Sequence, residues 1–369
     1  MSTHCHVLIA GASGVIGRDA VRRFTAAGWQ VTALSRRDPE LDLPYQHKAV
    51  DLTDASACAS LVAQLPDITH VVYAAVYEEQ GLVSGWRSQQ QMSTNLSMLR
   101  NLAEPLVQRA TLRHVSLFQG TKAYGVHLHP IDVPARESSP RHPHENFYWL
   151  QEDYLRELAQ LHDFDITIWR PQVVFGDAYG VAMNILPVLG AYAALEASMG
   201  RDLAWPGGPG YVLEAVDSRL IADALVWAAT HEEAQNETFN ITNGDVFTWP
   251  NVWPTLANAL GATPGGNCPQ RLSVTLPERA HEWHRLATRL GLVQPNLDQL
   301  LGRSHHYADF VFATGAQRPP EPALVSTIKL RQAGFSGCID SEAMFHQLIA
   351  RLQAQRVLPT AEELAKLRF

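Results

Sequence analysis

Cysteine is scarce in this chain. Cys5, Cys58, Cys268 and Cys338 lie far apart, with no paired spacing. That excludes a disulfide framework and suits free thiols in a reducing compartment. Charge is scarce too. Charged residues make up 18% and the formal charge is -8, without the basic stripe of a nucleic-acid binder. Long apolar runs are missing, and no window approaches the roughly eighteen uninterrupted apolar residues of a membrane span. No basic-then-apolar secretory segment precedes the first strand pattern. These absences predict a cytoplasmic protein with no nucleic-acid or membrane partner. Paired metal ligands are lacking as well: Arg141-His142-Pro143-His144 and His305-His306 have no second pair at zinc spacing, so no metal is expected. What remains is a 369-residue chain with 46% apolar residues, enough for a large core in two lobes.

The first informative stretch is Gly11-Ala12-Ser13-Gly14-Val15-Ile16-Gly17. It follows a buried-strand pattern, His6-Val7-Leu8-Ile9-Ala10. It precedes helically spaced apolar residues Val15, Ala20, Val21 and Phe24. Strand, glycine turn and helix in that order make a phosphate cradle for a dinucleotide. A side chain at Gly11 would crowd the turn, one at Gly14 would hold the pyrophosphate away, and one at Gly17 would push the helix off the sheet. Backbone N–H groups from Ser13 to Gly17 and the helix dipole then face the anion.

Strand and helix patterns alternate onward. Strands are expected at Trp29 to Ser35, near Ala49-Val50, at His70 to Val76, Leu112 to Phe118, Asp165 to Arg170 and Phe239 to Ile241. Helices are expected up to Leu65, at Ser93 to Arg109, Phe147 to Leu161, Asn184 to Ser198 and Asp217 to Thr230. The rhythm predicts an α/β protein: a Rossmann-type doubly wound parallel sheet with an interleaved, mainly helical substrate lobe. The dinucleotide-binding domain spans 1–175, with 217–245 returning to it. The lobe takes 176–216 and 246–369, and Pro277 to Leu301 reads either as a lid or as packing of that lobe.

The end of the second strand carries Ser35-Arg36-Arg37 and no acid until Asp38. An acid there would bind the ribose hydroxyls of NAD; arginines match the 2′-phosphate of NADP. Asp51 and Leu52 after the third strand are candidates for the adenine, and small Ala74 and Ala75 after the fourth allow close backbone approach. Gln119, Gly120, Pro171, Val173 and Val174, at or just past the carboxyl ends of the fifth and sixth strands, complete the candidate NADP(H) contacts.

Hydride chemistry on this fold needs a proton donor at the substrate oxygen, commonly a tyrosine with a nearby ammonium. No tyrosine here has a lysine four residues later; Tyr148 is followed by Glu152 and Tyr124 by Leu128. Either the chain is a non-catalytic member of its class or the lysine comes from elsewhere. Lys122, just past the fifth strand, is placed to supply it. Glu152-Asp153 is no acid/base pair, because helix neighbours point about 100° apart.

Gln119-Gly120-Thr121-Lys122-Ala123-Tyr124-Gly125 and Asn146-Phe147-Tyr148-Trp149-Leu150-Gln151-Glu152-Asp153 resemble the progesterone 5β-reductase/iridoid synthase family, atypical extended short-chain dehydrogenases. The resemblance continues through Arg170 to Gly176, Ala182 to Asn184, Trp227 to Thr230, Asn236 to Asp245 and Gly334-Phe335. It implies NADPH-dependent reduction of the activated C=C bond of a small apolar enone or enal, with Tyr148 as the catalytic tyrosine and Lys122 its partner. The family carries two consecutive tyrosines where this chain has Tyr148-Trp149, and its plant members a histidine where this chain has Ala123. Phe147, Trp149, Phe175, Met183 and Trp205 are candidates for an apolar substrate pocket. Two other readings stay open: a carbonyl reductase or sugar-nucleotide epimerase/dehydratase, which would be expected to use the missing tyrosine–lysine spacing, and a non-catalytic NADP-binding sensor. Oligomeric state is left open, a homodimer included.

Overall fold

The computed structural model describes residues 5–79, 82, 85–109 and 111–367. It divides into two units. The first comprises Met1–Gln172, Ser218–Thr242 and Ala323–Cys338; the second comprises Val173–Asp217, Asn243–Pro322 and Ile339–Phe369.

The first unit is built on β1 (His6–Ala10), β2 (Gln30–Leu34), β3 (Gln46–Lys48), β4 (His70–Tyr73), β5 (His114–Phe118) and β6 (Asp165–Pro171), with an edge strand Glu237–Ile241. These seven strands form one parallel sheet. From one edge its order is Glu237–Ile241, β6, β5, β4, β1, β2, β3. The order reverses beside β1, and that switch point opens a crevice at the carboxyl ends of the strands. Every residue of β1 and β4 is buried, as strands covered on both faces require. Helix α1 (Val15–Ala26) packs with Ser218–Ala228, while α2 (Ala55–Gln64), α3 (Gln89–Val107) and α4 (Phe147–His162) pack in series. The α2–α4 layer closes over Leu8, Val71, Tyr73, Val115, Leu117 and Ile168. Among the described residues no helix is long and apolar enough to cross a membrane.

Two expectations shift. The third strand lies at Gln46–Lys48 rather than Ala49-Val50. It is a short strand at the sheet edge, half exposed, and so carries no apolar run to mark it. Residues 323–338, expected in the lobe, belong to the first unit. There Ser326 accepts a hydrogen bond from Asn240 Nδ2 at 3.1 Å, and Phe335 lies 5.8 Å from Trp227. The proline loop before Ala323 marks where the chain leaves the second unit.

The second unit is mainly helical. Helix Leu186–Ser198 is buried from Leu186 to Ala197, so it carries no polar face. Around it pack Trp249–Leu260 and Ala280–Leu290, and Ser341–Ala354 packs on Trp249–Leu260. Within the segment Pro277 to Leu301, Trp283 is 0% exposed and its Nε1 donates to the Gln294 carbonyl. The segment is therefore packing of this unit, one of the two readings above.

Candidate active site

Register places the carboxyl end of β1 beside that of β4, with Ala10 opposite Tyr73. Gly11 leaves the strand at φ +84°, and a Cβ there would lie 2.7 Å from the carbonyl of Ala74. Glycine is thus required twice, for the left-handed backbone and for the close approach of Ala74 and Ala75. Gly14 N–H closes the turn onto Gly11 O at 2.9 Å. A Cβ on Gly17 would meet Gly11 O at 2.2 Å, so the glycine seats α1 against the turn. No side chain caps α1, which leaves its first-turn N–H groups, flanked by half-buried Ser13, Val15 and Ile16, for a ligand. The cradle fits a dinucleotide pyrophosphate. Gly17→Ala is expected to cost about 1–3 kcal/mol of stability, read as a lowered urea midpoint with an unchanged m-value.

Past β2, Arg36 and Arg37 are exposed and Ser35 Oγ donates to Arg37 O at 2.6 Å. The nearest acid in sequence, Asp38, is engaged within its own loop. It accepts from Tyr45 Oη at 2.5 Å and from Glu40 N–H at 2.8 Å, and the Tyr45 bond leads in holding its carboxyl below the usual range. Asp51 accepts the Thr53 N–H at 2.9 Å and the Thr53 hydroxyl at 2.8 Å; these bonds lower its pKa, with Arg36 adding to the effect. Leu52 is buried, its carbonyl held by Asn101 Nδ2 at 2.8 Å.

The candidate pair, Lys122 and Tyr148, comes from two elements. Lys122 lies in the short turn Thr121–Tyr124 after β5, and Tyr148 on the first turn of α4. Asn146 ties them together: its Oδ1 accepts the Tyr148 N–H at 3.1 Å and its Nδ2 donates to Lys122 O at 3.2 Å. A Cβ on Gly120 would lie 3.3 Å from the Tyr148 hydroxyl and 3.6 Å from Pro171 O, so the hydroxyl sits over Gly120. Lys122 Nζ lies 4.3 Å from the Trp86 ring centre, 5.6 Å from that of Tyr148 and 5.8 Å from that of Phe147. Glu78 Oε1 is 3.9 Å away. Burial pushes the Lys122 ammonium pKa down, and Glu78 opposes it. A cation packed among aromatic faces, beside a phenol over the sheet end, can polarise a carbonyl through that phenol.

The Gln119 side chain is held by two partners within the protein. Its Nε2 donates to Glu152 at 2.7 Å and its Oε1 accepts from Arg170 Nε at 2.8 Å. The side chain therefore fastens α4 to β5 and β6 and is not available to a cofactor. The candidate pocket also divides. Phe147 stays beside Lys122. Trp149 is 9% exposed, with the guanidinium groups of Arg141 and Arg170 at 4.8 and 5.7 Å from its ring centre. Phe175 and Trp205 are corrected to core of the second unit: Phe175 packs on Phe345 at 5.1 Å and Trp205 on Phe312 at 4.9 Å. Met183 is half-buried in that unit, and Val173 and Val174 lie on its strand Val173–Phe175. Among Glu78, Trp86, Gln91 and Asn146, the first three carry no mark in the sequence pattern. Only Asn146, a helix-capping residue directly before the aromatic run, left a readable signal. Among the described residues no three histidine, cysteine or acidic side chains are placed to hold a metal.

The family model described as "NAD dependent epimerase/dehydratase family" matches residues 7–242. The chain is 28% identical to an (S)-8-oxocitronellyl enol synthase of Catharanthus roseus, over 95% of this chain and 92% of that protein. It is 29% identical to a 3-oxo-Delta(4,5)-steroid 5-beta-reductase of Arabidopsis thaliana, with the same coverage of both. The resemblance drawn from the motifs thus extends along nearly the whole chain. Among solved structures, the UDP-glucose 4-epimerase of Thermus thermophilus in complex with NAD superposes with TM-score 0.66 at 18% identity, covering 94% of this chain and 99% of that one. That likeness shows the fold.

Proposed function

Because the chain belongs to the NAD dependent epimerase/dehydratase family, we propose that it is an NADPH-dependent reductase of the activated C=C bond of enones and enals. The observation that carries this reading is that Lys122 Nζ comes from a separate element to within 5.6 Å of the ring centre of Tyr148, whose hydroxyl lies over Gly120, in a chain with no tyrosine–lysine pair four residues apart. The names of its plant relatives, an enol synthase and a steroid 5β-reductase, support the same chemistry.

The glycine turn would hold the pyrophosphate, and Arg36 and Arg37 would pair with the 2′-phosphate. When bound there, NADPH would supply a hydride to the β-carbon of the substrate, and the α-carbon would take its proton from solvent. The Tyr148 hydroxyl donates a hydrogen bond to the carbonyl oxygen, where negative charge develops as an enolate. The Lys122 ammonium strengthens that donor through space. Phe147 contributes an apolar wall and keeps water from the reacting atoms.

The test is NADPH oxidation against a panel of small and steroidal enones, with saturated ketones against allylic alcohols as the product assay and NADH as control. Saturated products made with NADPH support the reading. Allylic alcohols would favour a carbonyl reductase, and tight NADPH binding without oxidation a sensor. Replacing Arg36 and Arg37 together by alanine is expected to weaken NADPH about 10- to 100-fold while sparing NADH, since only the 2′-phosphate loses its partners; fluorescence titration with both cofactors checks it.

A further inference from the structure

We propose that Glu78 is the positioning residue that keeps the Lys122 ammonium charged and in place beside Tyr148. The role rests on the reading of Lys122 and Tyr148 as the reacting pair. Lys122, its side chain 13% exposed, is packed among three aromatic faces, which favour a cation but accept no proton. Among the described residues Glu78 is the one carboxylate paired with it. At 3.9 Å this is an attraction between charges rather than a hydrogen bond. The lysine is therefore steadied while its N–H groups stay free to turn toward a ligand.

Glu78 is itself fixed. Gln91 Nε2 donates to its Oε2 at 2.7 Å, and Gln91 Oε1 accepts the next N–H, that of Glu79, at 2.9 Å. One turn along α3, Asn95 exchanges two 2.9 Å hydrogen bonds with the backbone of Tyr77. Gln91 and Asn95 are both 0% exposed. Gly85 makes room for this clamp, since a Cβ there would lie 2.5 Å from Gln91 Oε1. So elaborate a fastening of one loop aims a single acid at the lysine.

The other titratable and charged groups near Lys122 do not replace it. Tyr148 faces the lysine from α4. His127 faces it from the following loop and is held neutral, its pKa lowered to about 4 by burial and by Lys122 itself. Arg87 reaches the His127 carbonyl and adds positive charge. With Glu78 gone, burial would act on the ammonium unopposed, and the amine would lose its proton at lower pH.

The test is Glu78→Gln, read in two ways. Competitive acylation across pH, followed by mass spectrometry of the Lys122 peptide, measures when the amine becomes nucleophilic. The onset is expected to move down by at least one pH unit, whereas Glu78→Asp keeps it near the wild-type position. An onset that does not move in Glu78→Gln, or moves equally in both variants, overturns the proposal. Turnover with an enone is the second readout: its alkaline limb is expected to shift acidward by the same amount, with activity returning toward wild type as pH is lowered. An alkaline limb that stays in place overturns the proposal. Acylation needs no substrate, so a shifted onset in a protein that reduces no enone would leave Glu78's role standing and refute only the reductase reading. If Glu78→Gln does not fold, Gln91→Leu unhooks the carboxylate and is expected to move the onset the same way by less; an unmoved onset there counts against the proposal.

Discussion

Replacing Tyr148 by phenylalanine is expected to lower enone turnover about a hundredfold while leaving NADPH affinity unchanged. The change removes one oxygen and keeps the ring, which packs edge-on against Phe147 at 4.6 Å. That oxygen lies over Gly120 at the carboxyl end of β5, where the fold presents its cofactor. A donor aimed at developing negative charge in a dry site contributes about 3 kcal/mol, or roughly two powers of ten in rate. Because the lost interaction belongs to the transition state, kcat and kcat/KM should fall together. Steady-state kinetics with a fluorescence titration of NADPH separate this from a folding defect. A variant that keeps wild-type turnover would remove Tyr148 from the chemistry.

Mild acid is expected to destabilise the protein strongly, and from the opposite end of the sheet. His6, His70 and His114 are the first residues of β1, β4 and β5, all buried. Each is bonded to a threonine hydroxyl: His6 to Thr32 at 2.9 Å, His70 to Thr69 at 2.8 Å and His114 to Thr167 at 2.8 Å. Burial lowers all three from 6.5, His70 to about 4 and His114 to about 3. In the unfolded chain they take up protons near 6.5; in the folded one they resist. The stability they contribute is therefore complete above pH 6.5 and drains away as pH falls toward 4. For His70 alone the loss at pH 5 is about 2 kcal/mol, with a comparable loss from His114. Urea midpoints at pH 7, 6 and 5 should fall steeply, and more shallowly in His70→Gln. A flat profile would show that these rings are solvated.

Strands β1, β4, β5 and β6 were legible because they lie between helical layers, which forces a nearly unbroken apolar run. β3 was not, because an exposed edge strand can be polar throughout. The glycine turn was readable position by position, since each glycine answers to a separate steric demand. Lys122 stands out as a lysine just past a strand end, and Tyr148 as the tyrosine of the motif that opens α4. Their shared contacts do not. Glu78 and Trp86 lie in or beside the loop after β4, where no period links a residue to its neighbour in space. Phe175 and Trp205 show the reverse limit: a large apolar side chain looks the same in sequence whether it lines a pocket or fills a core. Gln119 stands at a strand end as a ligand residue would, and only its two partners, Glu152 and Arg170, reveal a structural role.

The most direct test of conjugate reduction is the fate of the transferred hydrogen. With NADPH carrying deuterium at the transferable position and an enone substrate, deuterium is expected on the β-carbon of a saturated ketone, falling with turnover in Tyr148→Phe. Deuterium on the carbinol carbon of an allylic alcohol, or none transferred to any enone, would contradict it.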